Sequence, residues 1–228
     1  MPQQRTSGGR VGMSVLCPSG DIAAHCSGSR SMSKSLDANT RNYTGRCARS
    51  FLRKLVMRAD ATIRRLRSDD AASFKAIRLE ALKANPELLR STFELEDKLG
   101  VAWFASRLED AHIVGAFRDG ELVGTAGFAI QQGQKNAHKG RLWGMYVRPS
   151  SRNLGVGRLL VSAVLDVARE NVELIQLSVV KENRPARGLY ESVGFLEFGM
   201  ESKASKLGDK YYDEAHMALD FSRPVDFS

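Results

Sequence analysis

The chain has 228 residues, 43% of them hydrophobic, which is enough for one domain with a sizeable core. Its net charge of +8 belongs to the first 59 residues, which contain ten Lys or Arg against two Asp or Glu, whereas residues 60–228 contain 24 of each. The excess charge therefore describes a basic tail and argues against nucleic-acid binding as the main activity. No stretch approaches the ~20 consecutive apolar residues of a membrane span, so we expect no membrane insertion and a cytoplasmic protein.

Residues 1–59 are rich in Ser, Gly and Arg and have no lasting apolar period, which predicts a largely disordered tail. Two alternatives stay open for this segment: an organellar transit peptide, or a true start of translation at Met57. All three cysteines lie in it, at Cys17, Cys26 and Cys47, and their spacing fits no common zinc site. We therefore predict a domain that depends on no disulfide and holds no metal.

From residue 60 the hydrophobic pattern becomes periodic and predicts one domain over residues 60–221, followed by a short tail at 222–228. Ser68 is a candidate N-cap for the first helix, and Asp119-Gly120 is typical of a two-residue hairpin turn. The order of elements favours a mixed α/β sheet with helices on both faces. In chain order we predict strand 61–67, helices 69–84 and 97–108, strands 113–117, 122–130 and 141–147, helix 155–170, strand 174–180, helix 185–193, and strands 195–200 and 210–219.

The step from strand 141–147 to the following helix carries the first indication of function. Gly155 and Gly157 allow the backbone to turn tightly at the helix start, where several N–H groups lack partners within the helix. Such a start suits a phosphate or pyrophosphate, and Arg152 and Arg158 add positive charge nearby. The alternative is an ordinary loop, and the spacing matches neither a P-loop nor a dinucleotide-binding fingerprint.

A second pattern follows the next predicted strand. Together the two segments resemble the GNAT acetyltransferase superfamily, whose members have Arg/Gln-x-x-Gly-x-Gly/Ala after one strand and Asn-x-x-Ala-x-x-x-Tyr-x-x-x-Gly-Phe after the next. The ordered pair is more specific than either pattern alone. The first pattern is matched by Arg152, Gly155 and Gly157, and the second by Asn183, Ala186, Tyr190, Gly194 and Phe195.

The resemblance implies an α/β fold whose mixed, mostly antiparallel sheet splays between its central strands, with helices on both faces. It implies that acetyl-CoA lies in the opening, that a backbone N–H near Val147 stabilises the oxyanion, and that Tyr190 protonates the departing thiolate. The alternatives are that Tyr190 is a packed core side chain and that Asn183 only starts its helix. The cofactor-binding residues implied in this way are Met145, Tyr146, Val147, Arg152, Asn153, Leu154, Gly155, Val156, Gly157, Arg158 and Asn183.

These features predict an acetyl-CoA-dependent N-acetyltransferase that moves the acetyl group directly to a primary amine, because the predicted domain has no cysteine to carry it. The acceptor stays open between a small-molecule amine and a protein amine, and a homodimer is compatible with the resemblance.

Strand 141–147 offers no carboxylate as a general base, which leaves a non-catalytic acyl-CoA-binding module as the alternative function. Trp143 and the segments 84–99 and 202–212 are candidates for the acceptor site. Candidates for the base, besides an ordered water, are Glu94, Glu96, His138, Asp213 and Glu214.

Overall fold

The computed structural model describes residues 60–222, which contain seven strands and five α-helices. The predictions made for residues 1–59 and 223–228, including those for the three cysteines, lie outside the described residues. The strands are β1 (Thr62–Arg65), β2 (His112–Arg118), β3 (Glu121–Ile130), β4 (Lys139–Val147), β5 (Leu174–Val180), β6 (Leu196–Leu207) and β7 (Lys210–Asp220). The helices are α1 (Ala71–Ala84), α2 (Phe93–Glu96), α3 (Val101–Asp110), α4 (Val156–Asn171) and α5 (Arg184–Glu191).

The strands form one sheet in the order β1-β2-β3-β4-β5-β7-β6, and β4 and β5 are its only parallel neighbours in the described part of the chain. Their pairing is short: it runs from Lys139 opposite Leu174 to Arg141 opposite Gln176 and then stops. Beyond that point β4 stays paired with β3 and β5 stays paired with β7. The sheet therefore opens in its middle, as the resemblance implies.

An irregularity in β4 lies at the opening. Thr125 of β3 is opposite Tyr146, whereas Gly127 is opposite Trp143, so that β4 contains one more residue than β3 over this stretch. Gly144 accommodates the extra residue with a φ of +62°, a left-handed conformation that glycine adopts without steric cost. The resulting β-bulge interrupts the ladder where the two central strands part.

Helices cover both faces of the sheet and bury a separate apolar cluster on each. On one face α4 turns a stripe of apolar side chains toward β2, β3 and β4, with Leu160 and Val164 fully buried. On the other face α1 and α3 pack together, and Phe104 lies edge-on to Phe74 with 6.0 Å between the ring centroids. The fold class expected from the sequence is confirmed.

The start of the first helix differs from the prediction. Ser68 opens a short 3₁₀ turn, and its hydroxyl donates to Glu109 at 2.7 Å instead of capping the helix. Asp70 is the N-cap residue of α1, but its side chain does not cap that helix. The Asp70 carboxylate accepts instead from the backbone N–H of Arg67 at 2.9 Å, which closes the 3₁₀ turn, and from Arg64 through two bonds of 2.7 Å, which tie the turn to the edge strand.

Two further elements were predicted with wrong bounds. The helix expected at 97–108 begins later than predicted. The preceding helix α2 ends at Glu96, and α3 begins only after Gly100, whose extended ψ of 160° makes it the N-cap. Strand β6 continues to Leu207, well past the predicted end at residue 200. It accommodates Lys203 with a φ of +56° because the Lys203 N–H donates to Asp213 on β7 at 2.9 Å. Within residues 60–222 no helix is both long enough and apolar enough to cross a membrane.

Candidate active site

The divergence of β4 and β5 creates a cavity of about 600 Å³, here called the slot, which is bounded at one end by the starts of α4 and α5. Nearly all of the residues predicted to contact the cofactor border it. Two do not: Leu154 packs against the core and Val156 is buried in it. The predicted site residues that line the slot are Met145, Tyr146, Val147, Arg152, Asn153, Gly155, Gly157, Arg158, Asn183 and Tyr190.

The two glycines at the start of α4 are required for different reasons. Gly155 is the N-cap and has a φ of +85°, while a Cβ added there would meet nothing within 4 Å, so its backbone angle is what favours glycine. At Gly157 a Cβ would lie 3.2 Å from Leu189 Cδ2 and 3.3 Å from Met145 Cε, so its missing side chain leaves room at the slot. The first turn of α4 therefore exposes unpaired N–H groups beside open space, which is the arrangement that binds phosphate.

Two arginines bring positive charge to the same end of the slot. Arg152 donates through Nε to the carbonyl of Val147 at 2.9 Å, and Arg158 donates through Nη2 to Ser192 Oγ at 2.9 Å. Neither guanidinium pairs with a carboxylate of the described residues. These neutral contacts hold the side chains in place without cancelling their charge, so this end of the slot favours an anion.

Tyr190 lies at the inner wall of the slot. Its side chain is 5% exposed and its ring lies edge-on to Phe195 at 5.8 Å, yet its hydroxyl has no hydrogen-bond partner among residues 60–222. Burial raises the pKa of the Tyr190 phenol well above its usual 10, so the group stays neutral and remains a proton donor at physiological pH. Asn183 caps α5, because its Oδ1 accepts from the N–H of Ala186 at 3.3 Å, while the residue also borders the slot.

A second cavity, of about 680 Å³, lies on the α1 and α3 side of the sheet. Its walls come from α1, α3, the segment between α1 and α3, and the splayed parts of β4 and β5. Of the segments expected to line an acceptor site, the described structure brings 84–99 to these cavities, but no residue of 202–212 borders either one, because that segment forms the β6–β7 hairpin. The slot and the second cavity meet along seven residues: Leu88, Leu89, Leu142, Trp143, Gly144, Ser178 and Val180.

The second cavity contains two buried carboxylates, each held by an arginine. Glu96 accepts two bonds from Arg78, at 2.8 and 2.9 Å, and Glu214 accepts from Arg90 at 2.5 Å. Burial raises the pKa of Glu96, but the hydrogen bonds and charge of Arg78 outweigh it and hold that pKa below the usual value. Of the five carboxylates and histidines proposed as the base, only these two line the cavity.

Arg107 stands out in the second cavity because no carboxylate of the described residues pairs with it. Its guanidinium carbon lies 4.6 Å from the ring centroid of Trp143 and 5.1 Å from that of Trp103. Burial, and then the charge of Arg78, lower the pKa of Arg107, while the charge of Glu96 offsets part of the shift. Nothing in the sequence singles out Arg107, since an arginine on a helix is usually a solvated surface residue.

The acyl-CoA-dependent GNAT acyltransferases share this architecture: the sheet opens between two central strands, and a helix that starts with glycines presents its N–H groups to the opening. The model of the acetyltransferase (GNAT) family matches residues 75–195 of this chain. The chain therefore belongs to the acetyltransferase (GNAT) family, and the resemblance identified from its two sequence patterns is confirmed. Within residues 60–222 no group of three or more His, Cys, Asp or Glu side chains could hold a metal ion.

Individual relatives show where the similarity lies. The chain is 28% identical over 145 residues to a mycothiol acetyltransferase from Sanguibacter keddieii, which covers 62% of this chain and 45% of that protein. It is 26% identical over 158 residues to the L-amino acid N-acetyltransferase AaaT from Escherichia coli, which covers 67% and 95%. The solved structure of yncA from Salmonella typhimurium with its cofactor acetyl-CoA has the same fold, with a TM-score of 0.62, 20% identity, and coverage of 75% and 99%. The chain spans about half the length of the mycothiol acetyltransferases that it matches.

Proposed function

We propose that the protein transfers an acetyl group from acetyl-CoA directly to the primary amine of a small acceptor. The observation that carries this proposal is the junction of the two cavities: a slot suited to an anionic cofactor opens, at the parting of β4 and β5, into a second cavity that contains charged side chains. A thioester in the slot and an amine in the second cavity would meet at that junction. Holding both reactants in contact supplies much of the rate enhancement of a direct transfer.

In this proposal the pyrophosphate of CoA binds the N–H groups of residues 153–158, and the pantetheine arm runs along Met145–Val147 of β4. The amine nitrogen attacks the thioester carbon, and a backbone N–H near Val147 stabilises the oxyanion that forms. The carbon–nitrogen bond is completed as the carbon–sulfur bond breaks, the thiolate takes its proton from the Tyr190 hydroxyl, and the proton lost by the nitrogen restores that hydroxyl. Asn183 would hold the cofactor arm while it caps α5.

The charges of the second cavity favour an acceptor that carries an anionic group as well as an amine. Glu96 and Glu214 already have arginine partners, whereas neither Arg107 nor Arg141, which also lines the cavity, has a carboxylate partner among residues 60–222. A carboxylate on the acceptor would supply the missing negative charge, and the flat faces of Trp103 and Trp143 fix the Arg107 fork in place to receive it. An amino acid has this chemistry, and the name of AaaT describes such an acceptor for that relative.

The test measures acetyl-CoA binding to the full chain by calorimetry, and then release of the CoA thiol in the presence of amines. The panel contains free amino acids, their C-terminal amides, spermidine and a short peptide. We expect heat with acetyl-CoA, turnover with the free amino acids, and a KM for the matched amides that is higher by ~10- to 100-fold, the equivalent of one charge-assisted hydrogen bond. Absence of heat, or of turnover with every amine, would refute the transfer reaction.

The acceptor charge is tested separately with Arg107→Met. This change should raise the KM for the amino acid by a similar factor but leave the KM for the amide unchanged. The control is Arg118→Met, which removes a partly exposed arginine of β2 that borders neither cavity. Equal KM values for the acid and the amide in the unchanged protein would refute the anionic acceptor and leave the transfer reaction intact.

A non-catalytic acyl-CoA-binding module remains the second candidate, and one observation favours it: β4 carries no carboxylate beside the opening. Tight binding of acetyl-CoA without transfer to any amine of the panel would support that function.

A further inference from the structure

Ser178 occupies a special position at the junction of the two cavities. Of the seven residues that border both, five have aliphatic side chains or none, and the Trp143 indole can only donate. Ser178 is the one residue of this set whose side chain can accept a proton and also give one. Any proton that leaves an amine at the junction therefore finds one protein group there that can relay it.

The hydroxyl of Ser178 is the first member of a hydrogen-bonded row that crosses three strands. Ser178 on β5 is opposite His216 on β7, and its Oγ lies 3.0 Å from His216 Nδ1. His216 Nε2 lies in turn 3.2 Å from Glu201 Oε2 on β6. The row leads outward, because the Glu201 side chain is 50% exposed whereas that of His216 is 27% exposed.

The row has a defined direction for proton transfer. The carboxylate of Glu201 can only accept, so of the two neutral tautomers of His216 it favours the one that carries its proton on Nε2. His216 Nδ1 is then free to accept the hydroxyl proton of Ser178, and the serine oxygen can accept a proton from a group in the junction. This is the orientation that a base at the junction needs.

The other carboxylates near the junction are engaged by arginines, so this row is the base that stays available. Glu214 lies two residues earlier on the same face of β7, but Arg90 engages its carboxylate at 2.5 Å. Glu96, across the second cavity, is held by Arg78, which makes its carboxylate a weaker base. The ring of Phe198 lies 6.0 Å from the His216 ring, centroid to centroid, and shields one side of it.

We propose that Ser178, His216 and Glu201 form the proton relay that deprotonates the acceptor amine. The inference rests on the transfer reaction proposed above. Before the attack, one proton of the acceptor's ammonium group passes to Ser178 Oγ, the serine proton passes to His216 Nδ1, and His216 releases its Nε2 proton to Glu201 and then to water. The neutral nitrogen then attacks the acetyl carbon, and its second proton replaces the one that Tyr190 gives to the thiolate. No atom other than the proton leaves the amine by this route. Ser178 is the catalytic residue, and His216 and Glu201 are positioning residues that act through it.

The relay is tested in the full chain with Ser178→Ala, His216→Gln and Glu201→Gln. At about pH 7, where an ordinary amine is protonated, we expect the first two changes to lower kcat by ~100-fold or more and to leave the acetyl-CoA Kd unchanged. Glu201→Gln keeps a hydrogen-bond acceptor and should have a smaller effect. The control is His112→Gln, which changes a partly buried histidine of β2 that borders neither cavity.

The pH profile separates a proton relay from a structural role. At about pH 9.5 the α-amine of an amino-acid amide or of a peptide, whose pKa is about 8, is already neutral, so with these acceptors the defect of the Ser178 and His216 variants should shrink to a few-fold. A defect of equal size at both pH values, or no defect at all, would overturn the relay, whereas an unchanged protein without turnover would overturn the transfer reaction itself.

A measurement that does not depend on turnover is the ¹⁵N NMR spectrum of the imidazole rings, which is tractable because the chain has only four histidines. The relay requires His216 to be the Nε2–H tautomer and to change its ¹⁵N shifts in Ser178→Ala. An Nδ1–H tautomer in the unchanged protein would overturn it.

Discussion

Replacing Tyr190 by phenylalanine separates catalysis from folding, because it removes a single oxygen from a ring that stays packed against Phe195. No hydrogen bond within residues 60–222 is lost, since the hydroxyl has no partner there. We therefore expect the free energy of unfolding at neutral pH to change by less than ~1 kcal/mol, against the 1–3 kcal/mol that loss of a buried partner costs. As the proposed acid, the hydroxyl should account for ~100-fold or more in kcat, with the acetyl-CoA Kd nearly unchanged.

The same substitution changes how stability depends on pH. Burial raises the pKa of folded Tyr190 above the ordinary value of 10, whereas in the unfolded chain the phenol ionises near 10. Above pH 10 the unfolded state therefore binds fewer protons than the folded state, and stability falls with rising pH by up to ~1.4 kcal/mol per unit from this group. The phenylalanine variant lacks this contribution, so it should become the more stable of the two proteins above pH 10.

The assays are CoA thiol release for kcat, calorimetry for the acetyl-CoA Kd, and urea unfolding at neutral pH and above pH 10. The control is Tyr211→Phe, since Tyr211 is half-exposed on β7 and borders neither cavity. An unchanged kcat would remove Tyr190 from the chemistry. A stability loss above ~2 kcal/mol at neutral pH would instead show that the hydroxyl has a buried partner.

Two other predictions concern stability. Gly155→Ala forces a residue with a Cβ into a φ of +85°, so it should cost about 1 kcal/mol and lower the Tm by ~2–4 °C; an unchanged Tm in a thermal scan would contradict the strain argument. Glu96→Gln leaves the Arg78 guanidinium buried without its counter-charge, and denaturant unfolding should show a loss of about 3 kcal/mol. Because the pKa of Glu96 is held below its ordinary value of 4.5, the contribution of the pair is present above pH 4.5 and is lost as the pH falls below it, and the two proteins should then converge.

Much of the fold follows from local sequence signals. Strand β5 has the predicted bounds because its seven residues are apolar or uncharged and are bounded by turns, and the Asp119-Gly120 hairpin forms with both φ values positive. The misplaced bounds depend on contacts that are distant in sequence. Asp213 holds the irregular part of β6 from the neighbouring strand, and Arg64 of β1 holds Asp70 in the turn that precedes α1.

The same distinction between local and distant contacts applies to the candidate site. The residues at the start of α4 lie within one short segment, so their spacing indicates an anion site without knowledge of the sheet. Ser178 and His216 are 38 residues apart in sequence, and only the register of β5 against β7 brings them together. Neither residue stands out in the sequence, since β5 also contains Gln176 and β7 contains several charged residues.

The opening between β4 and β5 places the proposed chemical groups on separately supported elements. Beyond Arg141 and Gln176 each strand keeps its outer partner, β3 or β7, so the opening persists without a cofactor to hold it apart. The oxyanion donor belongs to β4, the relay crosses β5, β7 and β6, and Tyr190 belongs to α5. A group on any one of these elements can be replaced without moving the others, because each is anchored by its own hydrogen bonds. The effects of Tyr190→Phe and Ser178→Ala on the activation free energy should therefore add approximately if the acid and the relay act in the same rate-limiting transition state, whereas a double variant no slower than the slower single variant would place the two proton transfers in separate steps.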